Sequence, residues 1–316
     1  MMKIVIAGGT GHLGRILTND FRKDGHKVVI LSRNVEAPAV LWDGKTLGDW
    51  AGVIDGADVV INLAGRSVDC RYDAKTRLEI LRSRVDSTRV LGEAIAQAEN
   101  PPRVWLQAST ATIYAHRYDA PNDERTGILG GQEPDVPKEW HFSIEVAQAW
   151  EKELDRARTP HTRKVKMRTA MVMANDRGGP FDALLRHVRL GFGRFGDGKQ
   201  WMSWIHERDF VRAVRFLIDH RLEGSVNVAA PNPMQNTPFL RELQEAWGSH
   251  IAIPTIGPVL EFGAWLVRTE PELVLKSRRV VPGRLIEHGF VFEYPDWHDA
   301  ARELVARRRG GGAPSW

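Results

Sequence analysis

The 316-residue chain is 42% apolar and 27% charged, with 44 Lys and Arg against 40 Asp and Glu, a net charge of +4. That composition excludes a disordered chain, and the length suffices for one large α/β unit or two domains with a buried core. The single cysteine, Cys70, excludes an intrachain disulfide and fits a reducing cytoplasm better than secretion. Apolar runs such as Phe262 to Val267 fall well short of the ~18 residues of a membrane span. The opening MMK runs straight into IVIA, which leaves no room for a cleavable leader. The run Arg307, Arg308, Arg309 carries much of the net charge and reads as a solvated, frayed end, so neither a nucleic acid nor a membrane partner is expected.

Over the first 110 or so residues, short β-rich runs alternate with longer helical patterns, as parallel βαβ units require. Strands are expected at Lys3 to Ala7, Lys27 to Leu31, Ala39 to Trp42, Asp58 to Asn62 and Arg103 to Ala108. Helices are expected at His12 to Lys23 and Leu78 to Ala98, the second stopped by Pro101 and Pro102. Beyond them come a helix over Phe142 to Arg156, a strand over Val165 to Met173, helices at Phe181 to Leu190 and Glu207 to Asp219, and a strand at Val226 to Ala229. The fold class is therefore α/β, a Rossmann-type doubly wound parallel sheet with a smaller, mainly helical C-terminal substrate lobe. Residues 1–230 form the dinucleotide-binding domain, with 175–205 contributing to the substrate lobe; 231–309 form that lobe and 310–316 a flexible tail.

The segment Gly8-Gly9-Thr10-Gly11-His12-Leu13-Gly14 follows a strand and opens a helix. In that context glycines allow a tight turn, close approach of backbone N–H groups to a pyrophosphate, and tight helix–strand packing. A NAD site would place an acid about 20 residues further on. Ser32 and Arg33 stand there instead, a hydroxyl and a guanidinium suited to a 2'-phosphate, so NADP is favoured over NAD. Asn62-Leu63-Ala64-Gly65 closes the fourth strand with small residues that let backbone lie against a ribose. Ser109-Thr110-Ala111-Thr112-Ile113-Tyr114 closes the fifth strand with hydroxyls that can donate to a carbonyl or satisfy their own turn.

These stretches, with GADVVINLAG, SRVDST, AWEKEL, KMRTAMVM, GDGKQWMSWIHERDF and VVPGRLIEHGFVFEYP, resemble the extended and atypical short-chain dehydrogenases/reductases. They are most similar to epimerase-family proteins of the bacterial YfcH-like group, which has a human relative in the atypical class. The resemblance implies cofactor contacts from Gly8, Thr10, Gly11, His12, Leu13 and Gly14. It adds Arg33 at the 2'-phosphate and Ala64 and Gly65 on the ribose side; Ser32, Leu63, Ala108 and Ser109 are further cofactor-binding candidates. The run Arg77, Arg82, Arg84, Arg89 reads most simply as a solvated helix face, with Arg66 and Arg84 able to meet cofactor phosphate. Thr110 falls at the superfamily's catalytic Ser or Thr.

The superfamily's Tyr and the Lys four residues later are missing. Tyr72, Tyr114, Tyr118 and Tyr294 are followed at that spacing by Thr76, Tyr118, Asn122 and His298. Proton transfer, ordinarily worth about 100-fold to 10,000-fold in rate, must then fall to another group. Tyr114, His141 and Glu145 are the candidates near the fifth strand, with His141 and Glu145 on one helix face; the alternative for each is a surface or structural residue. Met202 stands where sugar-nucleotide epimerases carry a diphosphate-gripping Arg, which disfavours a UDP-sugar. Gln200, Trp201 and Trp204 are candidate walls for a less charged substrate, or core residues beneath the lobe. His206 and Asp209 read as structural. Gly193 to Lys199 is not a P-loop, because Gln200 replaces its Ser or Thr, and His206-Glu207 lacks the second ligand of a zinc site, so no metal is expected. Two functions follow: an NADP-dependent oxidoreductase or epimerase-like enzyme for a small carbonyl or hydroxyl substrate, or a non-catalytic NADP(H)-binding redox sensor or scaffold.

Overall fold

The computed structural model describes residues 1–34, 39–134, 136–249, 253–254 and 272–311. Its centre is a seven-stranded sheet built from β1 (Lys3–Ala7), β2 (Lys27–Ser32), β3 (Ala39–Leu41), β4 (Val59–Asn62), β5 (Val104–Thr110), β6 (Arg163–Thr169) and β11 (Gly224–Val228). The strand order is β11-β6-β5-β4-β1-β2-β3, and every neighbour pair is parallel. Parallel strands need crossovers, which the helices α1 (His12–Lys23), α2 (Ala74–Gln97), α3 (His141–Arg156) and α5 (Glu207–Asp219) supply on both faces.

Strand alternation divides the core. Ile4, Ile6, Val59, Ile61, Val104 and Leu106 face one side, against Ile16 and Phe21 of α1 and Phe210 and Val214 of α5. Val5, Ala7, Val60 and Trp105 face the other, against Val90, Leu91 and Ile95 of α2 and Leu154 of α3. Both faces being covered is why these strands read as continuous apolar runs.

Two boundaries differ from expectation for physical reasons. The helix α2 begins a turn before Leu78, because Asp73 caps it by accepting from the Thr76 amide at 2.7 Å, ahead of the apolar stripe. The strand expected over Val165 to Met173 is two: the chain leaves the sheet at Ala170, whose amide still reaches the Val228 carbonyl, and continues as β7 (Met171–Met173). This short strand pairs in parallel with β10 (Trp204–His206), which follows the short strands β8 (Phe192–Arg194) and β9 (Trp201–Met202).

Beyond the sheet, α4 (Pro180–Arg189), α6 (Asn236–Trp247) and α9 (Trp297–Arg309) enclose a second core of Phe181, Leu185, Trp204, Phe239, Leu240, Trp297 and Leu304. Between α6 and α9 lie the short helices α7 (Glu272–Leu275) and α8 (Gly283–Glu287). The described residues after 231 do not form one separate core. Val280 packs with Tyr114 and Ala147, while Leu285 and Phe290 join the core on the α5 side of the sheet.

The C-terminal arginines correct the sequence reading. They end α9 rather than fraying: Arg307 pairs with Glu207 and Glu303, Arg308 with Asp182, and Arg309 lies over Trp247. Of the expected tail, residues 312–316 lie outside the described residues.

Candidate active site

The phosphate cradle grows out of the end of β1. Gly8 takes φ +77°, a value L side chains resist, and its amide reaches the Leu31 carbonyl at 3.0 Å. A side chain on Gly14 would run into Gly9, its Cβ only 2.5 Å from the Gly9 Cα, so the first turn of α1 can press against the loop only as glycine. Gly11 caps α1 without a side-chain hydrogen bond. The amides of His12, Leu13 and Gly14 therefore keep their donors, at the positive end of a twelve-residue helix, for an anion. His12 Nδ1 bonds the Asp176 carboxylate from the loop after β7, which draws that loop against the cradle.

At the end of β2, the buried Ser32 hydroxyl lies 3.3 Å from Thr10 Oγ1 and accepts from the Asn34 amide, while Arg33 extends into solvent. At the end of β4, buried Asn62 accepts from the Ala64 amide and donates to Gln107 Oε1, both at 3.0 Å, and so shapes the Leu63-Ala64-Gly65 turn. The backbone of Leu63 and Ala64 would lie 3.0 Å from a Cβ on Gly8, so the two loops touch. Arg84 of α2 packs its guanidinium over Gly65 and donates to the carbonyls of Arg66 and Ile80. Burial lowers its pKa to about 10, and no carboxylate pairs with it among the described residues. Arg66 is tied to Glu79 at 2.5 Å.

Around the end of β5 the predicted residues separate. Ser109 points inward and donates to Glu151 of α3 at 2.7 Å; Glu151 holds Arg168 of β6 through two bonds of 2.8 Å. Arg168 in turn donates to the Tyr114 hydroxyl at 3.0 Å, and that hydroxyl donates to Asn227 at 2.9 Å. The Tyr114 phenol, 2% exposed and with burial pushing its pKa up, is thus a member of a buried network rather than a group facing a cleft. Thr110 is different: it is half-buried, and its Oγ1 accepts from the Thr112 amide at 3.1 Å, which leaves its own proton to donate. His141 and Glu145 sit on α3 without a recorded bond between them, His141 half-buried and Glu145 exposed. Trp204 and Gln200 are core residues, the first against Trp297 and the second bonded to the Phe195 and Val274 carbonyls. Of the three proposed substrate walls, Trp201 alone keeps exposed surface, with Arg279 4.2 Å from its ring centroid.

A second cluster at the β5 edge comes from parts of the chain that gave no motif. Ser143, in the first turn of α3, donates to Glu272 of α7 at 2.5 Å. The next residues of that strap embrace the turn after Thr110. Lys276 donates to the Thr112 carbonyl at 3.0 Å and lies 3.8 Å from Glu272, and Arg278 donates to the Thr112 hydroxyl at 3.2 Å. Lys276 is 1% exposed, and burial followed by the neighbouring Arg278 charge takes its pKa down to about 8. No spacing rule links positions 112, 143, 272 and 276; folding alone brings them together.

Comparison with known proteins matches this architecture. Residues 4–135 match the NAD dependent epimerase/dehydratase family, and residues 257–304 match a domain of unknown function, DUF1731. The epimerase family protein YfhF of Bacillus subtilis is 33% identical, over 98% of this chain and 99% of the relative. The chain belongs to the epimerase family of atypical short-chain dehydrogenases/reductases. Within that family, the human epimerase family protein SDR39U1 is 28% identical over 96% of this chain and its own full length. The crystal structure of human SDR39U1 with NADPH superposes with a TM-score of 0.84 at 27% identity, covering 96% of this chain and 99% of that one. A nucleoside-diphosphate sugar epimerase from Corynebacterium glutamicum gives a TM-score of 0.75 at 28% identity, covering 96% of this chain and 58% of that one.

Proposed function

We propose that this epimerase-family protein is an NADP(H)-dependent oxidoreductase or epimerase-like enzyme acting on a small carbonyl or hydroxyl substrate at the end of β5. The observation that carries the cofactor reading is the uncapped α1 N-terminus set under close-packed glycines, whose free amides fit a pyrophosphate. Ser32 and the exposed Arg33 favour a 2'-phosphate, Ser32 ending β2 where a NAD site would carry an acid. The human relative crystallised with NADPH supports the same choice. Buried Arg84, paired with no carboxylate among the described residues, adds positive charge beside the Gly65 turn.

Bound there, NADPH would supply a hydride, which carries the two electrons that reduce a substrate carbonyl to an alcohol. Thr110 would orient that carbonyl, its hydroxyl proton being free to donate. Met202 is buried in the second core, so position 202 offers no cation for the diphosphate of a sugar nucleotide.

Fluorescence titration with NADPH and NADH tests the cofactor reading. NADPH should bind more tightly, and Arg33→Ala should lose about 1.5–3 kcal/mol of that binding, roughly 10- to 150-fold, with NADH affinity unchanged. Equal affinities in the unaltered protein overturn the NADP assignment.

A further inference from the structure

We propose that Ser143 is the hydroxyl through which the site exchanges a proton with its substrate, with Glu272 and Lys276 as the positioning residues that pass the proton behind it. The inference rests on the oxidoreductase reading above and supplies the acid–base group that the sequence lacks. Three observations carry it.

The first is directional. Ser143 donates to Glu272 at 2.5 Å, so the oxygen of this half-buried hydroxyl keeps its lone pairs for a second partner. The second is the buried acid–base pair behind it. Glu272 and Lys276 are 4% and 1% exposed, with the Lys276 ammonium 3.8 Å from the Glu272 carboxylate. A buried pair of this kind is weak support for stability, and hydrophobic residues would fill the same space at no loss. The third is placement. Lys276 and Arg278 both bond Thr112, whose amide holds Thr110, so pair and polarising hydroxyl share one turn. The α3 helix that carries Ser143 packs on this turn through Ala147 against Ala111 and Ile113.

The proton path balances in either direction. In reduction, the Ser143 hydroxyl turns from Glu272 to the substrate oxygen, and its Oγ–H bond breaks as the substrate O–H bond forms. The Lys276 ammonium gives a proton to the Glu272 carboxylate, which passes it to the Ser143 oxygen; the neutral Lys276 amine is reprotonated from water, while the cofactor of the preceding reading provides the reducing equivalents. In oxidation every proton moves the other way. The charged and titratable groups that set the Lys276 equilibrium are Glu272 and Arg278 on its own strap and Glu133 on the loop after β5. His116 stands on that loop as well, with its pKa lowered by burial and by the Lys276 charge.

The test uses the full-length protein, NADPH and a panel of small aldehydes and ketones as probe substrates. NADPH titration and lysine-selective ¹³C NMR of the protein without substrate are read alongside. Ser143→Ala and Glu272→Gln should keep NADPH affinity within about twofold yet lose about 100-fold or more in kcat, and Ser143→Thr should recover part of the loss. In the NMR titration, Lys276 should lose its proton well below the other lysines. Glu272→Gln should lower that midpoint further and shift the pH–rate limb with it. Turnover within about threefold of normal in Ser143→Ala, or a Lys276 midpoint equal to that of exposed lysines, overturns the relay and leaves the oxidoreductase reading standing. Tight NADPH binding by the unaltered protein with no probe turned over overturns both.

Discussion

Lys276 makes the residue-scale chemistry measurable apart from any reaction. Its folded pKa of about 8 lies below the 10.5 of a free lysine, so the native state binds this proton more weakly than the unfolded chain does. Below pH 8 both states are protonated and the native state carries the full cost of a buried ammonium. Between pH 8 and 10.5 the unfolded chain holds more protons, so stability rises with pH across that window. Relative to Lys276→Met, the unaltered protein should gain about 3 kcal/mol over the window, read from urea denaturation at a series of pH values. A flat difference would mean that the amine is solvated. The same residue marks the limit of sequence reading. Thr110 is legible because it ends a strand in a recognisable run, whereas Ser143 and Glu272 are 129 positions apart and meet only through the folded strap. Tyr114 shows the converse: its place beside Thr110 in the chain suggests chemistry, but its hydroxyl is spent on Arg168 and Asn227.

At the scale of elements, helix α5 both covers the sheet and clamps the C-terminal segment. Asp209 in its first turn is fully buried and accepts from the Glu293 and Tyr294 amides at 2.7 Å each, besides pairing with Arg212 at 3.0 Å. His206, the N-cap of α5, binds Glu303 of α9 at 3.0 Å. Asp209→Ala would leave two backbone donors without their acceptor and should cost about 2–4 kcal/mol. Denaturation would show this as a fall in the midpoint, and NADPH affinity at a temperature where the variant is folded should hold, since Asp209 bonds the 293–294 backbone and Arg212 rather than the glycine loop. The limits of α1 and α5 were legible because glycine or a cap precedes an apolar stripe. The break at Ala170 was not: no Gly or Pro interrupts Val165 to Met173, and what divides β6 from β7 is a change of pairing partner from β11 to β10.

For the molecule as a whole, the C-terminal helix and the phosphate cradle are mechanically joined. Arg308 at the end of α9 donates to the Asp176 carbonyl at 2.7 Å and pairs with Asp182 at 3.2 Å, while the Asp176 side chain bonds His12 at the head of α1. A residue near the end of the chain thus fixes the loop that borders the nucleotide site, though the Arg run looked on charge alone like a solvated end. The guanidinium bonds Asp176 and Asp182 rather than the glycine loop, so its removal should act on affinity through the position of Asp176 and His12. Arg308→Ala should weaken NADPH binding about threefold to tenfold, on the order of 1 kcal/mol of coupling. His12→Ala should remove most of that effect, because the two changes break the same chain of contacts. Titrating NADPH into both single variants and the double variant decides the matter: additive losses would mean that Arg308 acts on the nucleotide site by a route other than His12.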